Sequence, residues 1–150
     1  MSGHIYPTQY QIDARTQTCI HPRRCNFTGN TAFGNKGGAI QLLTPKAPSI
    51  DTCLFVNNQA AAGAAVYVEK VPTVLNIEHT DFLNNTVMQQ IDDADRFQLA
   101  IAGQGGAVYG LATQIIIRCS CLLQGNMAMQ GGAVYIRYKL IVFIVLLAYN

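Results

Sequence analysis

Residues 53–67 read Cys-Leu-Phe-Val-Asn-Asn-Gln-Ala-Ala-Ala-Gly-Ala-Ala-Val-Tyr, and this order of apolar anchor, asparagine and small-residue tetrapeptide returns three more times. Phe27, Phe82 and Leu123 stand where Phe55 does, and Asn30, Asn85 and Asn126 stand where Asn58 does. Gly37-Gly38-Ala39-Ile40, Gly105-Gly106-Ala107-Val108 and Gly131-Gly132-Ala133-Val134 match Gly63-Ala64-Ala65-Val66. The periods of 28, 27 and 41 residues suit units that are each one supersecondary element. Such a unit cannot bury its apolar face alone and must stack on its neighbours.

The spacing within a unit locates its variable part. From Ala39 to Phe55, Ala65 to Phe82 and Ala107 to Leu123 the steps are 16, 17 and 16 residues, whereas the gap between the motif Asn and the Gly pair holds six, four, nineteen and four. The sequence therefore predicts one arc of fixed length and one corner that takes all the length variation.

Gly pairs inside every unit argue against helical repeats, and the apolar residues alternate with period two. In Val74-Leu75-Asn76-Ile77 and in Thr52-Cys53-Leu54-Phe55 the residues two apart are the apolar ones, as a strand with one buried face requires. The expected fold is all-β: a right-handed single-stranded parallel β-helix of four to five coils, a pectin-lyase-like solenoid. Residues 1–24 are expected to form an N-terminal cap or first irregular coil, 25–136 the β-helix repeats with a corner insertion at 86–104, and 137–150 an apolar terminal strand.

Stacked coils lie about 4.8 Å apart, so identical positions become columns along the axis. Phe27, Phe55, Phe82 and Leu123 are expected to point inward as one column. Asn30, Asn58, Asn85 and Asn126 form another at a bend, where asparagine accepts unusual backbone angles and its amide bonds above and below. Gly38, Gly106 and Gly132 are assigned to a close approach between coils. Cys25, Cys53 and Cys121 share one register and read as small apolar residues of the inward ladder, with disulfide bonding as the alternative. Tyr67, Tyr109 and Tyr135 fall on the opposite face from Val66, Val108 and Val134, which predicts an outer tyrosine stack.

Composition narrows the function classes. Half the residues are hydrophobic and 12% charged, with a formal charge of +2 and scattered basic residues, which argues against a nucleic-acid partner. Met1 to Gln11 carry no leader pattern. The run from Leu140 to Ala148 is nine apolar residues, short of the roughly 20 that span a bilayer as a helix, so the chain is not expected to be transmembrane on its own. Its apolarity suits it poorly as a cap, and open coil ends predict self-association.

The paired motifs Gly-Gly-Ala-[Ile/Val] and Phe-x-x-Asn resemble the repeats of the chlamydial polymorphic membrane proteins over roughly residues 25–136. Copy two departs from that pattern with Ala64 for Gly, and copy four with Leu123 for Phe. The resemblance implies a right-handed parallel β-helix and adhesion at the cell surface, in the outer membrane or outside the cell, by export as an autotransporter. The chain itself reads as a non-enzymatic scaffold with a surface receptor or glycan as partner and no cofactor.

Of the candidate sites, the residues 86–104 stand first, because long excursions on rigid solenoids are often where binding happens. Asp92, Asp93, Asp95 and Arg96 are its candidate recognition residues; the acidic trio lacks the Gly and terminal Glu of an EF-hand and reads as a solvated loop. The alternative function is a carbohydrate-active β-helix, for which Asp51 and Glu78, each four residues before its anchor, would flank a sugar; a chain without independent function is the third reading. The discriminating feature is whether any exposed wall gathers three or more convergent charged side chains, and none is expected. His4, His21 and His79 are too dispersed for a metal, and Cys119 with Cys121 lacks two further ligands. Asn26-Phe27-Thr28 and Asn84-Asn85-Thr86 are glycan-acceptor sequons, the first facing outward.

Overall fold

The chain is represented by a computed structural model that describes residues 10–12, 21–43, 46–88, 103–138 and 141–143. Within them sixteen strands and no helix are present. The strands fall into four walls. The first wall stacks β2 (Asn26–Thr28), β6 (Leu54–Val56), β10 (Asp81–Leu83) and β14 (Leu123–Gln124), and the second β3 (Thr31–Lys36), β7 (Gln59–Ala62) and β11 (Thr86–Val87). The third stacks β1 (Tyr10–Ile12), β4 (Ile40–Leu43), β8 (Val66–Glu69), β12 (Val108–Leu111) and β15 (Val134–Arg137). The fourth stacks β5 (Ser49–Asp51), β9 (Val74–Glu78), β13 (Gln114–Arg118) and β16 (Ile141–Phe143).

Each coil visits the four walls in the same order, and every strand pairs in parallel with its counterpart one coil away. Parallel crossovers in L-chains take the right hand, so the molecule is a right-handed parallel β-helix. Ile141–Phe143, part of the apolar run near the C-terminus, lies on Ile115–Ile117 as the fourth-wall strand of the fourth coil. Before the first full coil, Tyr10–Ile12 lies on Ile40–Leu42.

Alternation decides what enters the lumen. Phe55, Phe82, Val66, Val108, Leu75, Ile77, Ile115 and Ile50 are buried in one cluster, while their chain neighbours Leu54, Val56, Asn76 and Glu78 are half-buried on the outside. Phe27 pairs with Phe55, Phe55 with Phe82 and Phe82 with Leu123. The rings of Phe27 and Phe55 stack at 4.6 Å and those of Phe55 and Phe82 at 4.8 Å, both 7° from parallel. Burying one such side chain contributes about 1.5–3 kcal/mol, which makes this column a main source of cohesion between coils.

The corners have a simple chemistry that sequence reading placed one residue off. The left-handed backbone lies not on the column asparagines but on the residue before each: Gly29, Asn57, Asn84 and Gly125, with φ of 67°, 54°, 54° and 65°. Glycine and asparagine are the residues that tolerate this conformation. The next corner uses the first glycine of each pair, Gly37, Gly63, Gly105 and Gly131. Arg24, Thr52 and His79 turn the corner before the first wall, and in the last coil Cys119 and Ser120 both do so.

That doubled corner corrects the fixed-length arc. Leu42, Val68 and Gly110 stack, as do Ile50 and Ile77 with Ile117, yet the chain between these two layers shortens in the third coil and regains a residue at Cys119-Ser120. Equal totals had hidden two compensating differences.

Candidate functional site

The column asparagines form a continuous amide ladder. Asn30 Nδ2 donates to Asn58 Oδ1 at 2.8 Å, Asn58 Nδ2 to Asn85 Oδ1 at 2.9 Å and Asn85 Nδ2 to Asn126 Oδ1 at 2.9 Å. Each Oδ1 also accepts the backbone N–H of the asparagine one coil earlier. The second Nδ2 proton goes to the carbonyl of Phe27, Phe55 or Phe82. Asn58 and Asn85, fully buried, are thereby satisfied at every side-chain position, the condition for burying an amide without penalty.

The second glycine of each pair sits beneath the next coil. A Cβ on Gly38 would strike the carbonyl oxygens of Ala64 and Gln59, and one on Gly106 would strike the Gly132 oxygen and the Met127 backbone. At Gly132, in the last coil, the nearest atom would be Asn126 O at 3.4 Å, so that position is an ordinary contact. Ala64 occupies the equivalent place in coil two and is buried.

A second polar column was not anticipated. Cys25, Cys53, Thr80 and Cys121 follow the left-handed corner residues; Thr80 Oγ1 donates to Glu78 O at 2.7 Å and accepts the Cys53 N–H at 3.2 Å. Cys53 and Cys121 point their thiols at Asp51 O and Arg118 O, two and three residues back. Burial pushes the Cys53 thiol up to about 11 and raises that of Cys121 as well. The described cysteines are all unpaired thiols. The shared register was visible in sequence; the carbonyl-directed thiols were not, because Thr80 breaks the pattern.

Outside the lumen, the tyrosines stack as columns but are not an outer surface. Tyr67 and Tyr109 lie 5.1 Å apart and Tyr109 and Tyr135 5.6 Å, yet Tyr67 and Tyr109 are wholly buried, in a second apolar cluster with Ala62, Leu43 and Leu111. Lys36 Nζ donates to Tyr67 Oη at 3.2 Å and sits 4.8 Å from its ring centre; Tyr67 Oη donates to Glu69 Oε2 at 2.9 Å. Burial raises the pKa of both phenols. The Tyr109 hydroxyl is buried with no hydrogen-bond partner among the described residues. Alternation predicts which face a side chain leaves by, not whether further chain covers that face.

The fourth wall overturns the expectation that no wall would gather charge. Asp51 and Glu78 are register partners, Arg118 pairs with Glu78 and Arg23 bridges to Asp51, so four charges form one outward column. Arg23 Nε lies 2.9 Å from Asp51 Oδ2, and Arg118 Nε donates to Glu78 Oε1 at 2.8 Å. His79 Nδ1 lies 3.2 Å from Asp51 Oδ1. Hydrogen bonds from Thr52 and His79, with Arg23 nearby, hold the Asp51 carboxyl below its ordinary value. A glycosidase acid needs the reverse shift. The two carboxylates are neighbours at the centre of the column and each is matched by an arginine on its outer side, which is the arrangement of a structural ion-pair ladder.

The excursion is inserted cleanly. Met88 N donates to Ala60 O at 2.8 Å and Gly103 N to Ala61 O at 2.9 Å, so the chain leaves and rejoins the second wall at consecutive carbonyls of β7. Asp92, Asp93, Asp95 and Arg96 lie outside the described residues. On the same wall Phe33, Met127 and Met129 are exposed, and β3 is irregular between Ala32 and Lys36. Asn26 and Thr28 of the first sequon are exposed, and so is Asn84 of the second. Among the described residues no group of His, Cys, Asp or Glu could hold a metal ion, and no helix is long and apolar enough to cross a membrane.

In-phase columns on four parallel walls define this chain as a β-helix repeat protein. Residues 24–42, which span β2, β3 and most of β4, match the Chlamydia polymorphic membrane protein repeat. The match takes in Phe27, Asn30 and Gly37-Gly38-Ala39-Ile40, the first copy of the motif. No curated protein and no solved structure matches the chain.

Proposed function

We propose that the chain is a non-enzymatic β-helix scaffold, surface-exposed or secreted and adhesin-like, that recognises a surface receptor or glycan through its outer walls and the 86–104 excursion. The observation that carries this reading is the excursion's attachment at Ala60 O and Ala61 O. The ladders on both sides of the attachment points continue undisturbed, as they do where a rigid scaffold carries a binding segment. The match to a polymorphic membrane protein repeat supports placement at the cell surface, in the outer membrane or outside the cell. The unneutralised pair of carboxylates that a carbohydrate-active β-helix needs has no counterpart in the Arg23–Asp51–Glu78–Arg118 column. Strand edges at the coil ends support self-association, read by light scattering as a mass that rises with concentration.

The test is deletion of residues 89–103. It leaves Thr86, Val87, Met88 and Gln104 between Asn85 and Gly105, the same four-residue gap as in the second and fourth copies. Binding of the intact and deleted chains to host cells and a glycan array is compared after circular dichroism shows equal strand content. The proposal expects binding by the intact chain and its loss on deletion. Retained binding assigns recognition to the walls alone, and no binding by either chain overturns the adhesin reading.

A further inference from the structure

We propose that Cys25 and Cys53 are a cross-coil oxidation site that closes into a disulfide when the chain meets a small-molecule or protein disulfide. The two residues lie between two pairs of register partners, Arg23 with Asp51 and Asn26 with Leu54. Leu54 N donates to Cys25 O at 2.9 Å and Arg24 N to Asp51 O at 3.1 Å, which fixes the two cysteines one above the other. Neighbouring coils stand about 4.8 Å apart, inside the Cα window of about 4.4–6.8 Å that a disulfide needs. Both thiols face the same short stretch of backbone: Cys25 Sγ lies 3.3 Å from Arg23 O, and Cys53 Sγ 3.5 Å from Pro22 O. In the third coil the column is interrupted by Thr80, so among the described residues no other pair of cysteines occupies successive coils of it.

Exposure orders the steps. Cys25 is half-exposed and Cys53 buried, so the external disulfide meets Cys25. The Cys25 thiolate attacks one sulfur of the oxidant RSSR, forming the mixed disulfide and expelling one RS⁻. The Cys53 sulfur then attacks Cys25 Sγ, its proton passes to the departing sulfur, and the second RSH leaves. Two protein thiols are oxidised and one RSSR is reduced to two RSH. The closed bond ties coil one to coil two and encloses residues 25–53.

The full chain, fully reduced, is exposed to oxidised glutathione, quenched with acid and N-ethylmaleimide, and mapped by peptide mass. The expected product is a Cys25–Cys53 cross-linked peptide two hydrogens lighter than its reduced parts. The oxidised chain should melt roughly 5–10 °C higher, and dithiothreitol should reverse the gain. Cys53→Ser should stop at a glutathione adduct on Cys25, and folded Cys25→Ser should leave Cys53 unmodified. Free, alkylated Cys25 and Cys53 in the oxidised wild-type chain would overturn the proposal. So would Cys25 joined mainly to another cysteine, or a lower melting temperature in the cross-linked form. The wild-type peptide map decides the matter even where a serine variant does not fold.

Discussion

Asn58→Ala removes the centre of the amide ladder, and the structure sets the size of the effect. The Asn58 side chain accepts two hydrogen bonds from Asn30 and donates two, to Asn85 Oδ1 and Phe27 O. Its loss strands the Asn30 N–H and amide and the Phe27 carbonyl around a site fully closed to water. A made bond contributes about 0.5–1.5 kcal/mol, and a buried group left without its partner costs about 1–3 kcal/mol, so the variant should lose about 3–5 kcal/mol. Asn126→Ala offers the control. That residue is half-exposed and donates to Phe82 O while accepting from Asn85, and its truncation opens the ladder from the end where solvent already touches it, so a smaller loss of about 1–2 kcal/mol is expected. Urea titration followed by circular dichroism measures both. Equal losses for the two variants, or a loss under 1 kcal/mol for Asn58→Ala, would refute the claim that the ladder acts as a connected column.

Gly106→Val should destabilise by several kcal/mol, as overpacking against backbone that cannot yield does, whereas Gly132→Ala should shift the melting temperature little, since its Cβ meets only Asn126 O at 3.4 Å; thermal melts compare them. Tyr109→Phe deletes a buried hydroxyl that has no partner among the described residues and should leave stability unchanged or raise it by up to about 1 kcal/mol, again by urea titration. Asp51 is held below its ordinary carboxyl value by Thr52 and His79, so its stabilising contribution is complete above about pH 4 and is lost as pH falls through the lower folded value. Asp51→Asn should therefore show a shallower drop in melting temperature between pH 5 and pH 2 than the wild type, and parallel curves would show that the fourth-wall column carries no linkage.

Much of the architecture was legible because a parallel β-helix repeats its contacts as well as its sequence. Phe27, Phe55, Phe82 and Leu123 share a phase in the chain, and parallel pairing turns a shared phase into a shared layer. What resisted reading falls into three kinds. Backbone conformation belongs to single residues, so Gly29, Asn57, Asn84 and Gly125 could be distinguished from the column asparagines only once φ was known. Compensating length changes, such as the extra corner residue at Cys119-Ser120, vanish from any end-to-end count. Burial of an outward face depends on which side chains flank it, and Tyr67 and Tyr109 are buried among Ala62, Leu43, Leu111 and Tyr135. The charge column was visible for three of its members, since Arg23, Asp51 and Glu78 each stand four residues before their anchors, but Arg118 stands five before Leu123 because of the extra corner residue at Cys119-Ser120 and so fell out of line.

The central claim is that successive coils lie in phase. The most direct measurement is nuclear Overhauser contact between selectively labelled phenylalanine rings. The account predicts strong contacts from Phe55 to both Phe27 and Phe82, whose ring centres lie 4.6 and 4.8 Å away, and none between Phe27 and Phe82 directly. Rings with random-coil shifts and water contacts, or a Phe27–Phe82 contact that bypasses Phe55, would contradict it.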